Sequence, residues 1–411
     1  MANTIVTPSW VTKETARGYV NNLKFVACIN KEYSDSYIQS GAKVGNTVNV
    51  RMPVRFTATH GQAFQQQNIF ESTVPVTLND QVNVGMGWSS AQATTEIDMV
   101  RDRYVKPAAD SLANAVDVSA FSTVFLDVWN SVGTPGTTPS TTITYLQALT
   151  KLIDQSAPTK GICAVLDPLA MTTIANTAAA LFNPSATQSE NYRDGMFGRR
   201  QLGIDEWYYD QNVQSYTTGT FTTSTPLVNG ASQTGASLIT DGWASGATTL
   251  NKGDIFTVGG VFSVNPQSYN STGRLQQFVV TATISDTTGD MTIAISPSII
   301  TSGQLQTVSN SPANNAVITV VGATAAASGT LTATGTPQSL VFHPDAFTLA
   351  SADLSTPSGG AKSSFVRSKQ YGISIRWVEQ YDILNDQNPS RFDILIGPAT
   401  LQARLAVRVQ G

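Results

Sequence analysis

Two histidines, His60 and His343, and two cysteines, Cys28 and Cys163, are the chain's whole supply of imidazole and thiol groups. A zinc site or a catalytic triad needs such groups at short, patterned spacing or beside an orienting acid. Neither H-E-x-x-H nor G-x-S-x-G occurs. Each cysteine lies in an apolar run, which predicts a buried, reduced thiol. Among carboxylates, Asp205-Glu206 runs into Trp207-Tyr208-Tyr209, and acids beside aromatic platforms are what a glycosidase uses. An acidic loop leading into a strand accounts for the same residues. The stretch Tyr192 to Asp205 holds three arginines and three glycines. Arg199 and Arg200 there suit either an anion site or a loop of salt bridges. Ser358-Gly-Gly-Ala-Lys-Ser363 lacks the glycine directly before the lysine that a phosphate loop requires, so it reads as a loop. The residues therefore predict no enzyme, no cofactor and no metal.

Composition narrows the class. Charged residues are 13% of the 411 and the formal charge is −4. A surface with so few charges suits a protein whose faces are covered by neighbours, or a β-rich extracellular one. The charge gives no basic clamp for nucleic acid and no attraction to an anionic membrane. No apolar run approaches the length needed to span a bilayer, and the first residues lack the basic start and apolar core of a signal peptide.

The elements alternate along the chain. Residues 9 to 24 read as an arm helix capped by Ser9. Val48, Val50 and Met52 alternate, as do Val74, Val76 and Leu78, then Val82, Val84 and Met86, which predicts strands. Between them lies a long polar connection, residues 55 to 71, with Phe56, Phe64, Ile69 and Phe70 as apolar anchors. Ile97, Val100 and Tyr104 predict a short helix. Pro107 then opens a long one with Leu112, Val116, Ala120 and Val124 on one face. Residues 131 to 142 read as a loop. Leu146, Leu149 and Ile153 predict the stripe of the next helix, Gly161 to Leu166 a buried strand, and Asp167-Pro168 a capped helix start.

From about Thr217 to Leu340 the texture changes. Residues 215 to 340 carry six charges, Asp241, Lys252, Asp254, Arg274, Asp286 and Asp290, and strand signals recur. Asp286-Thr-Thr-Gly-Asp290 reads as a hairpin loop. Gly259-Gly260 interrupts a strand, as at a barrel corner. Alternation resumes at Ile373, Ile375 and Trp377, and final strands follow at 394–396 and 401–409. The all-β module is thus an insertion, with one domain's chain on either side.

The order of parts carries a resemblance. GAKVGNTVNVRMPVRF at 41 to 56 leads into a long hairpin and a long helix. FGRRQLGIDEWYYDQNVQSYTTGT at 197 to 220 precedes the module, and HPDAFTLASADLSTPSGG with RFDILIGPATLQARLAVRV closes the chain. This resembles tailed-bacteriophage major capsid proteins, in the branch of short-tailed-phage coat proteins with an inserted β-barrel. The resemblance implies an α+β fold of the Hong Kong 97 type. It implies an N-terminal arm at 1–42, an extended loop at 43–88, and a spine helix with peripheral domain at 89–139. An axial domain follows at 140–217, the inserted barrel at 218–340, and the rest of the axial and peripheral domains at 341–411. The function implied is self-assembly, through pentamers and hexamers, into an icosahedral shell around a phage genome. Implied partners are a scaffolding protein, a portal, a decoration protein and double-stranded DNA held without sequence reading. Implied locations are the virion head and, during assembly, the host cytoplasm. Candidate inter-subunit contacts are Trp10, Arg51, Arg55, Phe56, Phe64, Phe70, Glu71, Arg199 and Arg200. Some relatives weld neighbours by a Lys–Asn isopeptide bond. The absence of lysine from 55–71 argues against one here. Two other readings share parts of the pattern: a β-rich tail or surface module that binds carbohydrate, and an encapsulin-like shell.

Overall fold

A computed structural model describes residues 23–32, 45–58, 61–62, 66–89, 104–178, 202–220, 225–322, 335–357, 360–368 and 372–411. The arm helix at 9 to 24 lies almost wholly outside them, as do Trp10, His60, Phe64, Ile97, Val100, Arg199 and Arg200. The chain divides into two compact units. One comprises the described parts of Met1–Arg51, Thr73–Phe121 and Phe347–Ala399. The other comprises those of Met52–Ser72, Ser122–Ala346 and Thr400–Gly411.

In the first unit, helix α1 (Phe25–Cys28) buries Phe25 against two rings. The Phe121 centroid is 5.0 Å away and that of Phe347 5.9 Å. Helix α2 (Lys106–Val124) starts beside Pro107, whose fixed φ suits a first turn. Its residues Leu112, Val116, Ala120 and Val124 are all buried, as their four-residue spacing requires. Asp117 is buried on the same helix and accepts the Val26 N–H at 3.0 Å. The strands Phe347–Ala352, Gln387–Thr400, Ile373–Glu379 and Lys362–Ser368 lie side by side in that order. Asp80–Ser89 also pairs with Gln387–Thr400. Thr47–Arg51 and Thr73–Thr77 form a separate two-stranded ribbon. The period-two stretches at 74–78 and 82–86 therefore enter different sheets. Asp393 is fully buried in the larger one, bonded by both Arg376 and Arg391.

In the second unit, five strands lie in the order Ser131–Gly133, Ala406–Gln410, Thr336–Phe342, Cys163–Leu166, Glu206–Tyr209. The two pairings at the edges are parallel and the two inner ones antiparallel. Residues 131–133 are thus a strand rather than loop. Their composition is loop-like, and the parallel ladder to Arg408–Gln410 imposes the extended form. Helix α3 (Thr142–Asp154) covers this sheet with Tyr145, Ala148 and Leu152. The helix forms where Leu146, Leu149 and Ile153 mark it, but its buried face is another one, since Leu146 and Ile153 are exposed. Helix α4 (Pro168–Ala178) starts as expected, with the Asp167 carboxylate accepting the Leu169 N–H at 3.0 Å.

The module's strands run Ile318–Val320, Ile255–Val264, Ser271–Val280, Met291–Ile299, Gly235–Asp241, Leu227–Val228. Leu227 bridges Val317, the Val228 N–H donates to Ala316 at 3.0 Å, and the Ile318 N–H donates to Pro226 at 3.0 Å. First and last strands meet, so among the described residues the sheet closes on itself. Trp243, Phe256, Phe278 and aliphatic residues fill its core. At Gly259-Gly260 the register slips, and Gly260 sits at φ +80°, which a side chain rarely adopts. The strands on either side of the Asp286–Asp290 loop, Ser271–Val280 and Met291–Ile299, pair antiparallel as expected. Within the connection Ile284–Ser285 pairs with Thr249–Leu250, and the Asp286 carboxylate accepts N–H groups from Gly246, Thr288 and Gly289. The layered sheet resumes at Thr336, ahead of residue 340.

Candidate inter-subunit surfaces and the seat of the module

Exposed apolar groups gather in three places, besides single residues such as Leu169, Ile239 and Phe365. On the segment that joins the ribbon strands, Phe56 is 59%, Ile69 66% and Phe70 57% accessible. Within it Gln67 Oε1 accepts the Thr57 N–H at 2.9 Å and Gln304 Nε2 at 3.1 Å. Arg51 and Glu71 are exposed beside it, whereas Arg55 is half-buried and turned into a cavity of its own unit. On α3, Ile143, Leu146 and Ile153 make a bare stripe. In the first unit, Ile383 and Leu384 are 81% and 89% accessible. Their turn is ordered: Asp382 accepts the Leu384 N–H at 3.0 Å and Asn385 Nδ2 at 2.7 Å, and Tyr381 donates to Asp386 at 2.9 Å. Sequence reasoning missed this tip. Its signal was an apolar pair enclosed by the turn formers Asp382, Asn385 and Asp386.

The barrel is fastened to the layered sheet by a buried polar seat. Arg408, on the final strand, is fully buried. Its Nη2 donates to Gly253 O at 2.7 Å, and its guanidinium lies 5.9 Å from the Tyr216 ring centre. The Tyr216 hydroxyl meets Asp254 Oδ1 at 2.9 Å. Asp254 also accepts the Asn251 N–H at 2.8 Å and the Gly219 N–H at 3.0 Å. Burial raises the Asp254 carboxyl and the Tyr216 hydroxyl and lowers Arg408 to about 10. Gly253 has φ +102°, and a Cβ there would meet Leu126 at 2.7 Å. A second anchor is Gln277, whose Oε1 accepts the Ser131 N–H at 2.8 Å and the Lys151 ammonium. Burial, then Arg274, pulls Lys151 down to about 8, against the pull of Asp154. Arg274 pairs with Asp154 and Lys252 with Asp127, the latter at 3.5 Å.

The candidate catalytic groups are spent on architecture. Asp205 accepts the Gly161 N–H, and Glu206 accepts the Tyr208 hydroxyl at 2.7 Å. His343 Nδ1 accepts the Asp345 N–H at 3.3 Å. Lys362 opens a strand rather than closing a phosphate loop. Cys28 and Cys163 are buried free thiols. Among the described residues no helix is long and apolar enough to cross a membrane.

The sequence is matched by a family model. That of the P22 coat protein family, described as P22 coat protein - gene protein 5, matches residues 9–411. The chain belongs to the P22 coat protein family. It is a major capsid protein of a tailed bacteriophage, with an α+β capsid fold and an inserted all-β module. It self-assembles into a shell and resides in the virion head. Among solved structures, Mycobacterium phage Che8 is similar at 12% identity, over 95% of this chain and 90% of that one, with a TM-score of 0.46. The capsid of Ralstonia phage GP4 is similar at 9% identity, over 95% and 88%, with a TM-score of 0.45. The CUS-3 coat protein I-domain matches 25% of this chain and 97% of its own length at 28% identity, with a TM-score of 0.20. No curated protein matches the chain.

Proposed function

We propose that the coat protein closes its shell mainly through apolar contacts, with the segment carrying Phe56, Ile69 and Phe70 laid on a neighbouring copy. The observation that carries this is the exposure of three large apolar side chains on a segment whose Gln67 bonds to Thr57 and Gln304. Arg51 and Glu71 flank the patch and suit a polar rim. Ile383-Leu384 and the outer face of α3 supply further patches, as repeated contacts between rings require. The extended loop is then residues 43–88, the spine helix lies within 89–139, and the barrel within 218–340 is an add-on to the shell domain. The subunit acts as pentamers and hexamers and enters the shell in the host cytoplasm with a scaffolding protein and a portal. A decoration protein is a further candidate partner. The shell encloses double-stranded DNA without reading its sequence. The protein performs no catalysis. Asp205 and Glu206 support this, because both serve local hydrogen bonds, and alanine at both positions is expected to leave shells unchanged.

The carbohydrate-binding alternative fares worse. Trp243, Phe256 and Phe278 are buried inside the barrel and offer no stacking platform. The test of the assembly reading is a triple substitution, Phe56→Ser, Ile69→Ser and Phe70→Ser. The unassembled subunit should keep its melting temperature, while shell yield by sedimentation and electron microscopy drops at least tenfold. Wild-type yield and shell size from the triple variant would overturn it.

A further inference from the structure

Arg55 and Arg404 line one cavity of about 60 Å³, which no carboxylate lines. The other walls are Trp129, Gln155, Gln276 and the apolar Val264. Several other cations among the described residues have acids. Arg274 has Asp154, Lys252 has Asp127, and Arg376 and Arg391 share Asp393. Arg55 makes no hydrogen bond or ion pair among the described residues. Arg404 donates through Nη1 to Gln155 O and through Nη2 to Gln402 Oε1, each at 2.8 Å. Its Nε is buried with no acceptor, and so is the Trp129 indole Nε1. Burial lowers the pKa of both guanidinium groups, and Arg55 adds to the lowering at Arg404, which reaches about 10. Two like charges and two orphaned N–H donors facing one small space are costly unless an acceptor fills it. The volume is roughly the share of two waters, enough for a carboxylate or a phosphate head.

The geometry points to an oxyanion site, in which Arg55, Arg404 Nε and Trp129 Nε1 bind a phosphate- or carboxylate-type group. All three residues line the space, and a guanidinium meets two oxygens at once. One of the donors comes from the segment 52–72, so an anion there ties that segment to Trp129 and Arg404 beside the layered sheet. The anion is either a free one from solution or the side chain of an acid on a second copy. Both present the same oxygens.

The test uses the unassembled full-length coat protein. Inorganic phosphate and acetate are titrated in turn, with melting temperature and equilibrium dialysis as readouts. Wild type should bind at least one of them saturably at millimolar concentration and gain melting temperature with it. Arg55→Gln, on a surface segment, should weaken that binding about tenfold or more, and Trp129→Phe by less. Dialysis is then repeated on assembled shells. Retained binding marks a free anion, and lost binding marks occupation by a neighbour's carboxylate. Absence of saturable binding to the wild-type subunit would overturn the site. So would affinity in Arg55→Gln equal to that of wild type.

Discussion

Asp254 gathers the Tyr216 hydroxyl and the N–H groups of Asn251 and Gly219, with Arg408 close behind. Asp254→Ala would take the side-chain acceptor from the Asn251 and Gly219 N–H groups and leave Tyr216 and Arg408 with only the Lys252 and Gly253 carbonyls in a buried seat. The expected loss is about 3–5 kcal/mol, the usual result of breaking a buried charged network. Urea unfolding of the unassembled subunit measures it, and a change below about 1 kcal/mol would place the strength of the seat elsewhere. Lys151 carries a different prediction. Its folded pKa of about 8 lies below the unfolded value of 10.5. Between those two pH values the unfolded chain binds more protons, so stability rises with pH across that window. The stabilisation is complete above the unfolded value and is lost as pH falls through the folded one. Lys151→Met should abolish this rise. Denaturation midpoints taken from pH 7 to above pH 10 will show whether the slope disappears.

Helix α3 separates what was legible at the level of elements from what was not. Its limits and neighbours could be read from the spacing of apolar residues and from the strand that follows. Its inward face could not. Both 145/148/152 and 146/149/153 are apolar stripes, and a coat subunit needs two, one for its own core and one for a neighbour. Periodicity alone cannot rank them. Leu152→Ala should therefore cost about 2–5 kcal/mol of subunit stability, the range for emptying a buried site. Ile143→Ser with Leu146→Ser and Ile153→Ser should change stability by about 0.5 kcal/mol or less per site. Parallel melts of the two variants distinguish the faces, and assembly yield should fall only for the exposed one. The long helix α2 was legible because its opposite face offers no competing stripe. Gly259-Gly260 was legible as a corner because only glycine tolerates φ +80°. Ser131–Gly133 was opaque because its extended form comes from a partner strand far along the chain. The seat was opaque for the same reason. Nothing in the spacing of Tyr216, Asp254 and Arg408 announces that two distant strands and a turn will bring them together. The assignment of the cavity at Arg55 is harder still, since that residue reads as a surface cation until its neighbours are known.

At the scale of the whole molecule the scarcity of charge becomes a design for both faces of a wall. Lysine and arginine number 24 and aspartate and glutamate 28. Several of the cations are already paired, at Asp127, Asp154 and Asp393. Duplex binding at low salt comes from release of condensed counterions by unpaired Lys and Arg, and each phosphate neutralised steepens its salt dependence. A wall built from this subunit has few such groups to offer, and its net charge repels the duplex. Empty shells should therefore fail to retain double-stranded DNA even at low ionic strength, where a basic surface would hold it most tightly. Agarose electrophoresis of shells mixed with linear duplex, run at low and at physiological salt, checks this. Retention that vanishes as salt is raised would reveal a basic inner face that the composition hides. Failure to retain DNA in either buffer fits a wall along which the packaged duplex can slide. The apolar contacts between subunits respond in the opposite direction: they hold or strengthen as salt rises. One salt series on the same shells thus reads both properties. The expected pair of results is unchanged DNA exclusion with shells that resist dissociation better at high salt. Dissociation driven by salt would mean instead that ion pairs, and not Phe56, Ile69, Phe70 and their counterparts, hold the copies together.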